Sequence, residues 1–363
     1  MDRSASAIST IVKQILSKYG ESLNQKLITY NGASVMSGHT AGIQVFVRKD
    51  YPYAYFFHCA ARRLNLVLCQ SASAIPKVKV FFANVSALSS FTSVSTKRKS
   101  PFQSHTINIP QPGETRWYYH SRAISVIDEK YSELIDVLEE MVENPRSWDD
   151  TSLSQGSGLP QYLDSFLCCF FLGLFNNILQ QSSVLYMFHQ NRNIDFSFTM
   201  SKIDKCLLFL ADMHTDDAYD NLDQATIERI GHSSSRTERR IGYKQLYFEV
   251  IDNCSSMMKE RFTDCKDYEF LNLVNPKLFS QWKSKVPATK LGLLQSKYGP
   301  LFYIPTLASQ LLFFYNDVDF IKESPADLLK YMYDFHLQTS LPEMVRLLTL
   351  NSVIAVSSAS VER

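Results

Sequence analysis

Ile8, Ile11, Val12, Ile15 and Leu16 recur at helical spacing, which predicts an amphipathic helix ending near Gly20. The next apolar stretch, Lys26 to Tyr30, has the form of a short strand entering the Asn31-Gly32 turn and a small-residue helix start. Gly42 to Arg48 reads as a short helix, and the aromatic-rich Tyr53 to Cys59 as a second strand. A helix-strand-helix-strand order points to part of a parallel α/β sheet, in which two strands alone are too few for stability.

From Ala72 onward the pattern turns helical. Ser89 to Gly113 is predicted as a Ser/Thr/Pro-rich loop carrying Lys97-Arg98-Lys99. One amphipathic helix is expected to bury Ile124, Ile127, Tyr131, Leu134, Ile135, Leu138 and Met141. Its opposite face carries Glu129, Glu133, Asp136, Glu140 and Glu143 and reads as solvated. Ser152 to Pro160 is predicted as a connector and Asp216 to Asp223 as an acidic turn. Long helical stretches are expected up to about Tyr186, over Phe198 to Met213, around Tyr243 to Phe262 and over Leu307 to Phe335. The class is therefore mainly α with a small α/β part.

Composition narrows the function classes. An apolar fraction of 45% and an aromatic fraction of 13% exclude a disordered chain, and 363 residues can bury a sizeable core. The formal net charge of +1 gives no global field toward nucleic acid or anionic lipid, so such contacts must come from local patches. Seven scattered cysteines without a C-x-x-C pair fit a reducing compartment. The most membrane-like run, Phe166 to Phe175, is interrupted by Gly173 and is far short of the roughly 20 residues a span needs. A buried core helix in a soluble intracellular protein is the expectation, with no membrane partner and no small-molecule substrate evident.

Four stretches carry the functional reading: Ile28 to Gly38, His58-Cys59-Ala60-Ala61-Arg62-Arg63-Leu64-Asn65-Leu66-Val67-Leu68, Thr115-Arg116-Trp117, and Ile354 to Arg363 with its Ser357-Ser358-Ala359-Ser360-Val361-Glu362-Arg363 ending. In this order the chain resembles the transposase-like region of the hAT superfamily, and most of all the host-gene relatives found beside MYM-type and TTF-type zinc fingers. The likeness runs over essentially the whole chain. It implies an RNase H-like fold interrupted by a large all-α insertion: residues 1–70 as the α/β segment, 71–350 as the insertion, and 351–363 as the start of the closing helix. The family fold opens with three strands, the first bearing a catalytic aspartate. Measured against it, the chain reads as truncated at both ends, so that the RNase H-like fold is incomplete.

The resemblance also implies a two-metal chemistry in which three carboxylates hold Mg²⁺ or Mn²⁺. Asn31 stands at the position of the second aspartate, and only Glu362 matches a family carboxylate. An amide offers a neutral oxygen and removes one negative charge from the metal cage. No metal or other cofactor is therefore expected, and the chain is expected not to cleave DNA. Read from the residues alone, Asn31-Gly32 equally fits an ordinary turn, and Glu362 a first-turn carboxylate after a Ser357 or Ser358 cap. Cys59 and Arg62 occupy the family's Cys-x-x-His pattern with the imidazole replaced; Cys59 equally fits a buried core thiol. Arg116 can grip phosphate and Trp117 can stack on a flipped base, or the pair can be a surface arginine beside a core indole. Lys97, Arg98, Lys99, Arg236, Arg239, Arg240 and Lys244 are further phosphate-contact candidates, although clusters this small are usually solvated surface.

The leading expectation is a catalytically inactive, transposon-derived protein that binds nucleic acid or other proteins. By the resemblance it would be nuclear, with DNA, itself or other proteins as partners. The alternatives are a fragment of an active transposase and a purely structural helical interaction protein. Family-type dimerisation is expected to be weak.

Overall fold

Helix α1 (Ala5–Ser17) forms where the apolar spacing predicts it, and Ala5, Ile8 and Val12 pack on a small core of Ile43, Val47, Tyr51 and Ala54. The computed structural model describes residues 4–18, 29–30, 42–56, 60–111, 117–189, 196–230 and 242–354. Strand β1 (Thr29–Tyr30) pairs in parallel with β2 (Tyr55–Phe56), Thr29 opposite Tyr55 and Tyr30 opposite Phe56. Parallel neighbours require a crossover, and α2 (Ile43–Asp50) lies within it. The second strand begins later than its aromatic pattern, which starts at Tyr53. Tyr51 to Ala54 turn instead, with the Ala54 amide donating to the Tyr51 carbonyl at 2.9 Å, and Pro52 has no amide to give a ladder.

Helix α3 (Ala60–Ala74) starts well before Ala72, because Leu64, Val67, Leu68 and Ser71 are buried at i, i+3, i+4 and i+7. Helix α4 (Pro76–Ser93) opens on a proline and α5 (Thr96–Ser104) follows it, which corrects the expected loop over Ser89 to Gly113. Serine and threonine mislead there because their hydroxyls bond back within the helix: Thr92 and Ser93 both donate to the Ser89 carbonyl, at 3.0 and 2.8 Å. Ser89 itself reaches across to the Pro110 carbonyl at 2.9 Å, pinning the strand-like return of Ile107 and Ile109 into the core.

The single amphipathic helix expected over 124–143 is two, α6 (Trp117–Glu129) and α7 (Tyr131–Glu143), broken at Lys130. Its acidic residues do face outward, only Glu133 being partly covered. The predicted Ser152 to Pro160 connector is also helical, as α8 (Asp150–Gly156) and α9 (Leu159–Leu163). Asp149 caps α8 by accepting from the Ser152 amide at 2.8 Å, and Pro160 sits in the first turn of α9, where no amide is needed. Helix α10 (Phe166–His189) holds the apolar run, and α11 (Phe196–Met213) follows. The expected acidic turn is the start of α12 (Asp216–Ile230): Asp216 and Asp217 complement the positive helix end, and Tyr219, Asp223, Thr226 and Ile230 form its buried stripe.

Helix α13 (Tyr243–Phe262) leads into a 3-10 run, Thr263–Val274, and a shorter one, Pro276–Gln281. Helices α14 (Ala288–Tyr298), α15 (Ile304–Asn316), α16 (Pro325–Asp334) and α17 (Pro342–Val353) complete the described chain. The fold is mainly α.

The chain divides into two compact units, one of Met1–Arg63, Phe188–Lys202 and Phe262–Arg363, the other of Leu64–Met187 and Ile203–Arg261. In the second unit Phe81, Phe82, Phe170, Phe171 and Phe175 form a buried ring cluster, with Phe82 and Phe175 edge-on at 4.7 Å. Each such ring contributes roughly 1.5–3 kcal/mol by leaving water. Gly173 admits a close neighbour: a Cβ there would stand 2.8 Å from the Leu222 methyl. In the first unit Phe270, Phe279, Leu307, Phe314, Tyr315, Leu328 and Met344 are buried, and the Tyr315 hydroxyl donates to the Leu273 carbonyl at 3.0 Å. Among the described residues no single helix is long and apolar enough to cross a membrane.

Candidate functional site

The place where the resemblance puts chemistry is the end of β1. Tyr30 is the last described residue of β1, and Asn31, the next residue, lies outside the described residues, as do Cys59, Arg116 and Glu362. Arg62 falls in the first turn of α3, and Trp117 is the first residue of α6. The structure therefore neither gathers these residues nor separates them.

Around the described part of this segment the chemistry is cationic and aromatic. Gln44, Val45, Arg48, Lys49 and Pro52 line an open cleft beside α2. The Arg48 guanidinium lies 4.9 Å from the centre of the Tyr55 ring, whose hydroxyl donates to the Lys297 carbonyl at 3.1 Å. Tyr298 meets Tyr55 edge-on at 5.2 Å. Lys297 stands 4.5 Å over the Tyr268 ring and pairs with Asp267 at 3.1 Å. Burial pushes the Tyr268 and Tyr298 hydroxyls well above the usual phenol range, so neither ionises as a nucleophile near neutral pH. Among the described residues no three His, Cys, Asp or Glu side chains stand close enough to hold a metal ion.

A residue next to the Cys-x-x-His position was not singled out from the sequence. Arg63 has a side chain only 4% exposed and forms a two-pronged pair with Asp264, one prong at 2.9 Å between Nη2 and Oδ2. Burial works to lower its pKa, but hydrogen bonding to Asp264, then the charges of Cys265, Asp264 and Tyr268, outweigh that and hold it above the ordinary value. The guanidinium is also 5.8 Å over the Phe262 ring. Its partner is 201 residues away, so no local signal could reveal it.

His120, one turn beyond Trp117 on α6, was also missed. It is partly buried with its ring edge-on to Phe82 at 5.3 Å, and burial lowers its pKa to about 4, leaving it neutral at pH 7. Its i, i+3 spacing from Trp117 was the available signal.

Three of the basic candidates, Lys97, Arg98 and Lys244, are engaged within the protein. Lys97-Arg98-Lys99 lies in the first turn of α5 rather than in a loop. Arg98 donates to Ser152 Oγ and Gln155 Oε1, both at 2.9 Å, and Lys97 stands 5.5 Å from the Trp148 ring. Lys244 pairs with Asp216 at 2.8 Å, and that hydrogen bond raises its pKa. Arg236, Arg239 and Arg240 lie outside the described residues. Compared with known proteins, the chain matches no family model, no curated protein and no solved structure.

Proposed function

We propose that the chain is a transposon-derived protein with an RNase H-like α/β segment, a degenerate catalytic site and a binding role. The observation that carries the reading is the parallel pairing of Thr29–Tyr30 with Tyr55–Phe56 across α2, with Asn31 the next residue of the sequence after Tyr30. In the family that the sequence resembles, a metal-binding aspartate follows such a strand. An asparagine at that point weakens a cage built for two hard cations, because the ligands must offset their charge. Arg62 in place of the histidine removes an acceptor and a proton carrier as well. DNA and proteins are the proposed partners, and a nuclear location follows from the resemblance alone.

The test is strand cleavage of duplex and hairpin DNA by the purified chain with Mg²⁺ and then Mn²⁺. No product is expected, and metal-dependent cleavage would return the chain to the active transposases. In parallel, DNA binding at low salt is measured for the wild type and for Trp117→Ala. Binding lost with the indole supports the nucleic-acid role. A second reading, a helical protein-interaction module, is favoured by the engagement of Arg98 and Lys244 inside the protein. Absence of DNA binding at low salt selects it.

A further inference from the structure

The last turn of α15, the connection to α16 and the end of α16 carry large apolar side chains in water. Phe313, Ile321 and Phe335 are 53%, 50% and 61% exposed. The two phenylalanines are linked beneath the surface by a ring chain through the buried Phe320 and the half-buried Tyr331: Phe313 to Phe320 at 5.6 Å, Phe320 to Tyr331 at 5.8 Å, and Tyr331 to Phe335 at 4.4 Å. Large apolar side chains exposed near one another and bordered by polar groups mark interaction sites more often than isolated ones do.

The outermost ring is held in place rather than frayed. His336 adopts a positive φ of 55°, its amide donates to the Tyr333 carbonyl at 3.2 Å, and the Leu337 amide donates to Met332 at 2.9 Å. These two bonds form a Schellman end, so the backbone at Phe335 is fixed. A rigid exposed aromatic loses little entropy on binding, which is the property of an anchor residue.

Charge identifies what it would anchor. Between Phe313 and His336 the sequence holds Asp317, Asp319, Glu323, Asp327 and Asp334 against Lys322 and Lys330, so 2 − 5 = −3 in a chain of net charge +1. Asp319, Glu323 and Asp334 are exposed and pair with no cation among the described residues. Lys322 is turned onto the Tyr331 ring at 4.0 Å. An acidic border repels phosphate backbones, anionic lipid and a second copy of the same face.

We infer that this surface docks a basic amphipathic segment of a partner protein, its apolar side chains on Phe313 and Phe335 and its Lys or Arg side chains on Asp319, Glu323 and Asp334. The inference does not depend on descent from a transposase.

The probe is a synthetic Leu/Lys amphipathic helix of about five turns, compared with its Leu/Glu counterpart by fluorescence anisotropy on the full chain. The Lys peptide is expected to bind at least about tenfold more tightly than the Glu peptide. Phe313→Ser with Phe335→Ser is expected to weaken it by at least about tenfold. A second variant, Asp319→Asn with Glu323→Gln and Asp334→Asn, keeps the rings and is expected to lose most of the salt dependence. Equal binding of the two peptides overturns the proposal, as does either variant binding like the wild type. So does a dimer in light scattering that the phenylalanine variant dissolves while peptide binding stays unchanged.

Discussion

Asp264→Asn removes one charge and keeps the size of the side chain facing a buried guanidinium. Arg63 is 4% exposed at its side chain, whereas Asp264 is 59% exposed. Breaking a fully buried ion pair costs about 3–5 kcal/mol, while an exposed pair is worth about 0–1. With one partner buried and the other wet, solvent screens part of the loss, and about 1.5–3 kcal/mol is expected. Because two compact units need not unfold together, the probe must report on the right one. Trp282 serves, since it lies 5.6 Å from Tyr315 in the same unit, with Trp117 and Trp148 replaced by Phe. Urea unfolding followed by Trp282 fluorescence gives the free energies for Asp264→Asn, Arg63→Met and the double variant. A coupling of about 1–2 kcal/mol is expected from the cycle. If Asp264→Asn lies within about 0.5 kcal/mol of the parent and the cycle is additive, water replaces the pair freely and the reasoning fails.

Phe171→Ala in the ring cluster is expected to cost about 3–5 kcal/mol in the other unit, read from Trp148 fluorescence in urea. His120 carries a pKa lowered to about 4 against an ordinary value of 6.5, so the unfolded chain binds the extra proton first. The stability this contributes is complete above pH 6.5 and is lost as pH falls toward 4, by at most about 3 kcal/mol. A His120→Gln variant should lack that part of the pH profile in melting experiments. Burial pushes the Cys169 and Cys206 thiols up to about 11 and Cys254 to about 12, so these should resist a disulfide reagent at pH 8 until urea exposes them. His336→Gly should raise the melting midpoint, by about 1 kcal/mol of stability, because glycine adopts the positive φ without strain.

Helix α1 falls where its apolar periodicity places it, α10 where the long apolar run does, and α13 over the stretch Tyr243 to Phe262 read as helical. What misled were composition cues that side chains overrule. Serine and threonine in α4 satisfy their hydroxyls on the preceding turn, and the aspartates of α12 sit at a helix start rather than in a turn. The parallel order of the first strands was readable from helix-strand alternation, but the late start of the second was not, because Pro52 and the Tyr51–Ala54 turn precede it. Of the candidate site, Asn31, Cys59, Arg116 and Glu362 lie outside the described residues, so the structure adds nothing to the motif reading there. Arg63 was illegible for a different reason: an arginine beside a motif looks like surface until its distant carboxylate is known.

The separation of Arg63 from Asp264 also bears on how the protein is made. The last stretch of the unit that contains both begins only at Phe262, 262 − 63 = 199 residues after its first stretch ends. At about 5–20 residues per second, that first stretch waits roughly 10–40 s on the ribosome. The other unit, which is finished at Arg261, is complete before that wait ends. During the delay Ile43, Val47 and Ala54 have, among the described residues of that first stretch, α1 to cover them, so slowing elongation through 64–261 should lengthen the exposure of the N-terminal segment to chaperones and proteases.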